Sequence, residues 1–151
     1  MASFAAMIRV HGTCVALAGT GVLLRGPSGA GKSDLALRLI EAGARLVADD
    51  QVELHPVPNG GLTARPPGPL AGLLEVRGLG ILRFDHLPEA PLALVVDLVD
   101  GQAVERMPDA ATTELAGTPV PLIRLCPWEA SAASKVRLAV GVATGSILCL
   151  Q

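Results

Sequence analysis

Tyrosine is missing from this chain, and asparagine occurs once, at Asn59. The aromatic side chains are Phe4, Phe84 and Trp128 alone, although half of the 151 residues are apolar. Each shortage excludes something. No tyrosine can serve as an acid or a nucleophile. An Asn-Lys-x-Asp guanine signature cannot be written, because Pro58-Asn59-Gly60 does not fit it. A protein-kinase catalytic loop, which holds metal through an asparagine, falls on the same ground. So few aromatics also give no support to a base-stacking nucleic-acid surface. The core must be aliphatic, built from Leu, Val, Ile and Ala.

Charge of either sign is sparse. Twelve basic residues face fourteen acidic ones, a formal charge of −2, so neither nucleic acid nor an anionic membrane is an expected partner. Ten of the basic residues are Arg, leaving Lys32 and Lys135 as the only lysines. The cysteines, Cys14, Cys126 and Cys149, are odd in number and lack metal-ligand spacing, which reads as buried free thiols in a reducing cytoplasm. The apolar character of the N-terminus is too short and weak for a signal peptide, and Arg9 interrupts it. No apolar run approaches the roughly 20 residues of a membrane span. With 151 residues the chain is expected to be a single domain, 1–151, large enough for a real core.

Along the chain, strands are expected at Met7–Val10, Cys14–Leu17 and Gly21–Arg25, with a tight turn at Ala18-Gly19-Thr20. The third is nearly all apolar and should be central, covered on both faces. Lys32–Ala42 has helical spacing at Leu35, Ala36, Leu39 and Ile40, with Gly43 as its C-terminal cap. A short strand, Arg45–Ala48, stops at Asp49-Asp50. Val52–Val57 and Leu62–Arg65 flank Pro58-Asn59-Gly60-Gly61 as a hairpin. Pro66-Pro67-Gly68-Pro69 reads as a loop, Leu92–Leu98 as a buried strand, and Gly101–Gly117 as irregular. Val120–Leu125 is a further strand, and a last helix starts at Ser131 or Ser134, presenting Val136, Ala139, Val140 and Ala143 on one face. The pattern is that of an α/β or α+β sheet domain with two helices.

One motif carries chemistry by itself. Gly26-Pro27-Ser28-Gly29-Ala30-Gly31-Lys32-Ser33 fits the phosphate-loop pattern, with an apolar strand leading in and an amphipathic helix leading out. Glycines let the backbone wrap a phosphate, and the helix N-terminus adds positive potential. Lys32 would neutralise the β- and γ-phosphates, Ser33 would offer its hydroxyl to Mg²⁺, and Asp34 closes the nucleotide-binding segment. The metal also needs a carboxylate, and two places compete. Asp97 ends the apolar run Leu92–Val96, and Asp49-Asp50 follow Leu46-Val47-Ala48. Adjacent carboxylates repel, so such a pair is best tolerated where a cation or proton offsets it. One can then face metal while the other accepts a proton from an attacking hydroxyl.

Taken in order, the phosphate loop, Val47-Ala48-Asp49-Asp50-Gln51-Val52 and Leu74-Glu75-Val76-Arg77-Gly78-Leu79-Gly80-Ile81 resemble the C-terminal catalytic domain of HPr kinase/phosphorylase. The Glu-x-Arg-Gly-x-Gly-Ile stretch is that family's signature, and His11-Gly12 also fits its pattern. The resemblance runs from His11 to about Ile81. It implies a strand-rich mixed sheet with few helices, the phosphoenolpyruvate-carboxykinase-like version of the P-loop architecture. It implies an ATP- and Mg²⁺-dependent serine kinase acting on an HPr-like phosphocarrier protein of the phosphotransferase system. Phosphorolysis of the product with inorganic phosphate, yielding pyrophosphate, is implied as well. Full-length members are hexamers with an N-terminal domain. This chain resembles the short catalytic form, whose implied target belongs to the nitrogen-related branch.

Carried over by position, Lys32 and Ser33 hold phosphate and metal, and Asp49 accepts the serine proton. Asp50 and Glu75 sit on the Mg²⁺ side, and His11 lies near the active site. Arg77 could contact phosphate or partner, or shape its own loop through a salt bridge. The family's basic loop near the C-terminal helix is replaced here by Pro127–Lys135, in which Lys135 is a candidate remnant. The family's long C-terminal helices are shortened or absent after Gly145. Trp128 reads as a packing or interface residue, and His55 and His86 as surface residues. Two other functions fit the phosphate loop: a related P-loop kinase for a small-molecule or peptide hydroxyl, and a non-catalytic nucleotide sensor.

Overall fold

The structure, a computed structural model, describes residues 6–150, so Phe4 lies outside it. Its strands are β1 (Ile8–His11), β2 (Thr13–Leu17), β3 (Thr20–Arg25), β4 (Arg45–Ala48), β5 (Gln51–Pro56), β6 (Leu62–Arg65), β7 (Leu73–Val76), β8 (Gly80–Arg83), β9 (Ala90–Leu98), β10 (Ala111–Leu115) and β11 (Thr118–Leu125). The helices are α1 (Lys32–Glu41) and α2 (Ala132–Thr144). Among the described residues nine strands form one sheet in the order β1-β5-β6-β9-β3-β2-β4, with β11 also on β9 and β10 on β11. β7 and β8 form a separate hairpin. This is the mixed, strand-rich α/β domain that the sequence implies. No helix among the described residues is long and apolar enough to cross a membrane.

The strand β3 lies between β2 and β9 and is buried from Gly21 to Leu24, as its apolar run requires. Its side chains alternate. Val22 and Leu24 join Leu35, Leu39 and Val136 of the two helices, while Leu23 faces the other way among Val47, Val52, Leu54 and Val95. Two aliphatic layers result, one under the helices and one lined by β5 and β6. The strands β3, β9 and β11 are parallel, with Arg25 opposite Asp97 and Asp97 opposite Arg124. Their C-terminal ends therefore share one edge, where ligands of open α/β sheets bind.

Two differences from the expected elements stand out. Residues 101–117 are not irregular throughout: a 3-10 turn covers Gly101–Ala103, and β10 follows. That strand is a largely exposed edge, so its polar sequence shows little alternation. It turns into β11 through Ala116-Gly117, both with positive φ, the hairpin geometry that Ala18-Gly19 repeats between β2 and β3. The loop at Pro66–Pro69 tightens into a 3-10 turn at Gly68–Leu70. Gly141 does not break α2: the tail folds back onto it, and Ser146 and Ile147 donate their N–H groups to its carbonyl at 2.9 and 3.0 Å. A Cβ there would collide with the Ile147 side chain, so glycine suits the position despite its helix penalty. The helix takes Ser131 rather than Ser134 as its N-cap residue.

Candidate active site

The phosphate loop leaves β3 at the shared edge. Gly29 and Gly31 take φ of 83° and 98°, which a side chain would strain. A Cβ on Gly26 would lie 2.9 Å from that of Ala30, so the loop closes this tightly only with glycine at its start. Ala30 donates its N–H to the Pro27 carbonyl at 3.0 Å. The amides of Gly29, Gly31, Lys32, Ser33 and Asp34 meet no backbone acceptor among the described residues. Such free N–H groups at a helix start are the donors an anionic phosphate would satisfy.

Lys32 opens α1 and is buried. Its ammonium donates to the Gly26 and Pro27 carbonyls at 2.6 and 3.0 Å, curling over the loop. Burial pushes its pKa below the usual lysine value, and the charges of Asp49 and Asp50 partly oppose that shift. Asp34, also in the first turn, is bound by Arg38 at 3.1 Å.

The acids arrive from the turn between β4 and β5. Asp49 points inward. Its Oδ1 accepts from the Thr13 hydroxyl at 2.8 Å and from the Ser33 hydroxyl at 3.4 Å. Among the described residues its Oδ2 receives only the backbone N–H of Glu75, at 3.4 Å. Asp50 has φ of 69°, in the left-handed region. It is 67% exposed, with the His11 Nδ1 3.6 Å from its Oδ1. The competing carboxylate is already engaged: Asp97 takes the Arg25 guanidinium on both oxygens, at 2.7 and 3.1 Å. Both places border the phosphate loop, Asp97 through its neighbour Leu98 and its strand partner Arg25, but Asp49 is the acid that contacts a loop residue, Ser33.

Glycine also positions this corner. A Cβ on Gly12 would be 2.8 Å from the Leu24 carbonyl oxygen and 2.9 Å from the Leu23 side chain. The bare backbone lets Gly12 donate to the Asp50 carbonyl at 3.1 Å and brings the buried Thr13 against Asp49.

The signature stretch forms the β7–β8 hairpin. Leu74 is fully buried and anchors it, and the next amide reaches Asp49. The Glu75 side chain is exposed, as are Arg77, Leu79 and Ile81. Among the described residues no three His, Cys, Asp or Glu side chains converge as a ready metal site. Ser33 and Asp49 are together; Asp50 and Glu75 are on the same rim but apart from that pair. This donor set fits Mg²⁺, which takes few protein carboxylates and keeps water and substrate phosphates as its other ligands.

Arg77 makes no ion pair among the described residues, and Lys135 pairs with Glu129 at 2.7 Å rather than with the loop. Trp128 is not a core residue: it is 64% exposed. Thr13, Arg25 and Arg38 escaped the sequence reading. Thr13 holds Asp49, Arg25 neutralises Asp97, and Arg38 donates to the carbonyls of Pro127 and Glu129. A strand threonine and two arginines carry no signal in one sequence, because their partners are distant in the chain.

Comparison with known proteins agrees with this architecture. The structure of the Hpr(Ser) kinase/phosphatase from Coxiella burnetii superposes with a TM-score of 0.80 over 92% of this chain and 97% of that one, at 23% identity. At that identity the likeness establishes the fold. The family model described as the HPr Serine kinase C-terminal domain matches residues 2–130, well beyond the phosphate loop, the acids and the signature hairpin. The chain belongs to the HPr serine kinase C-terminal domain family.

Proposed function

We propose that this domain transfers the γ-phosphoryl group of ATP to a serine hydroxyl of an HPr-like phosphocarrier protein. The observation that carries the reading is the contact of Asp49 with Ser33 at 3.4 Å, which joins a carboxylate to the phosphate loop. A sensor needs phosphate contacts; a carboxylate at the transferred phosphate is what a transferase needs besides. Free loop amides and Lys32 hold the phosphates and neutralise their charge. Ser33, with acids of the same rim, would hold Mg²⁺, which would supply positive charge against that of the phosphates.

The Asp49 carboxylate has two oxygens with different duties. Oδ1 is committed to Thr13 and Ser33, which fixes its orientation. Among the described residues Oδ2 has only the long Glu75 contact, and it is the oxygen available to the serine proton. As the serine oxygen bonds to phosphorus and the bond to ADP breaks, that proton passes to Oδ2. In phosphorolysis an oxygen of inorganic phosphate bonds to the seryl phosphorus as the bond to the serine oxygen breaks, Asp49 passes the proton of the attacking phosphate to that serine oxygen, and pyrophosphate leaves. Asp50 and Glu75 supply carboxylates on the metal side, and His11 orients Asp50. Arg77, exposed in the turn between β7 and β8, would meet the partner. Three free cysteines accord with a cytoplasmic protein.

The test incubates the protein with labelled ATP, Mg²⁺ and the cognate HPr-like protein, with Asp49→Asn in parallel. Label on a serine, lost in the variant, supports the reading. Tight ATP binding without transfer by the wild type removes it.

A further inference from the structure

Phosphate loops hold phosphates and are indifferent to the base, so nucleoside recognition must come from elsewhere on the same edge. Three loops end there: the phosphate loop after β3, residues 99–103 after β9, and residues 126–131 after β11. The third presents Trp128, the only tryptophan of the chain, with its indole 64% exposed.

Its position is tied to the phosphate loop. The space that a Cβ on Gly31 would fill lies 3.1 Å from the far edge of the indole, and 3.0 Å from the Pro127 ring. Gly31 directly precedes Lys32, so the ring touches the cradle at the start of α1. The loop that carries it is braced. Arg38, on α1, donates to the carbonyls of Pro127 and Glu129, the residues on either side of Trp128. Glu129 is held in turn by Lys135 at 2.7 Å. A large aromatic ring left in water is normally costly to maintain, yet this one is fixed beside an anion site by contacts to its own backbone neighbours. Such preorganisation lowers the ordering cost of a ligand that uses the ring.

We infer that the Trp128 indole is the platform on which the purine base of the donor nucleotide stacks. This rests on the reading of the phosphate loop as a nucleotide site and adds the base to it. Stacking serves any purine, because each has a π-face, and gives no means of telling adenine from guanine. The other aromatic among the described residues, Phe84, follows β8 and is half-buried, which leaves Trp128 as the exposed aromatic ring beside the cradle.

With a single tryptophan and no tyrosine, the emission of the protein reports on this ring alone. The test titrates the wild type, in Mg²⁺, with ADP and with inorganic tripolyphosphate, following fluorescence and calorimetry. The same calorimetry is run on Trp128→Leu, Trp128→Phe and Lys32→Met. The expected result is that ADP quenches the emission while tripolyphosphate binds without quenching. Trp128→Leu should lose about tenfold in ADP affinity with tripolyphosphate affinity unchanged, and Trp128→Phe should recover most of the loss. Lys32→Met should weaken both ligands. The inference is overturned if Trp128→Leu binds ADP as the wild type does, or if it loses both ligands equally, the mark of a structural role. Binding of neither ligand to the wild type would overturn the phosphate-loop reading itself, and the inference with it.

Discussion

At the scale of single residues, the site depends on how one carboxylate is held. Thr13 is fully buried and spends its hydroxyl on Asp49, so this acid cannot swing with solvent as Asp50 can. Lys32 has a different constraint. Burial lowers its pKa, so free protein loses the ammonium proton at a lower pH than an exposed lysine would. Bound phosphate favours the charged form and raises the value again. Between those two values nucleotide binding therefore takes up a proton, and affinity falls as pH rises. Calorimetry of ADP binding in two alkaline buffers of different ionisation enthalpy should show that uptake, and Lys32→Met should abolish it. The thiols differ as sharply, and of the three expected to be buried Cys14 alone is. Burial pushes Cys14 up to about 12, whereas Cys149 is exposed and Cys126 half-buried. A thiol reagent at neutral pH should label Cys149 first and Cys126 next, and should reach Cys14 only in denaturant. Labelling of Cys14 in the folded protein would contradict the packing of β2.

Elements bring those residues together, and the close approach at Gly12 is the sharpest constraint among them. Gly12→Ala would press a Cβ onto the Leu24 carbonyl, a backbone atom that cannot rotate away. The expected cost is about 1–3 kcal/mol, read as a lowered denaturation midpoint. Transfer should fall further than stability alone explains, because Thr13 and the Asp50 carbonyl lie on either side of the contact. What could be read in the sequence divides at this scale. Strand β3, the phosphate loop and α1 are set by local signals: an apolar run, glycines at fixed spacing, then a helical period ended by Ala42 and Gly43. The hairpin at Pro58–Gly61 is local in the same way. Strand β10 was not legible, since Thr112, Thr113 and Glu114 on an exposed edge follow no burial pattern. Nor was the fold-back of the tail onto Gly141, which depends on side chains beyond the helix.

Over the whole molecule, the parallel trio β3, β9 and β11 gathers three loops at one edge, and the β4–β5 turn brings the acids to it from across the sheet. The kind of fold was legible because a family-specific stretch and a phosphate loop occur in the right order. The strand order was not, because β9 pairs with β3, β6 and β11 through contacts remote in sequence. The same distance hid the choice of carboxylate: Asp97 ends a stronger apolar run than Asp49, and only its pairing with Arg25 shows that it is already neutralised. The central claim is that Asp49, joined to the phosphate loop through Ser33, makes this domain a phosphotransferase. The most direct measurement is transfer from labelled ATP and Mg²⁺ to a serine of the HPr-like protein, by wild type and by Asp49→Asn, with ADP affinity measured on both. The account predicts serine phosphorylation by the wild type and a loss of about a hundredfold or more in the variant at unchanged ADP affinity. Equal transfer by both proteins would contradict it.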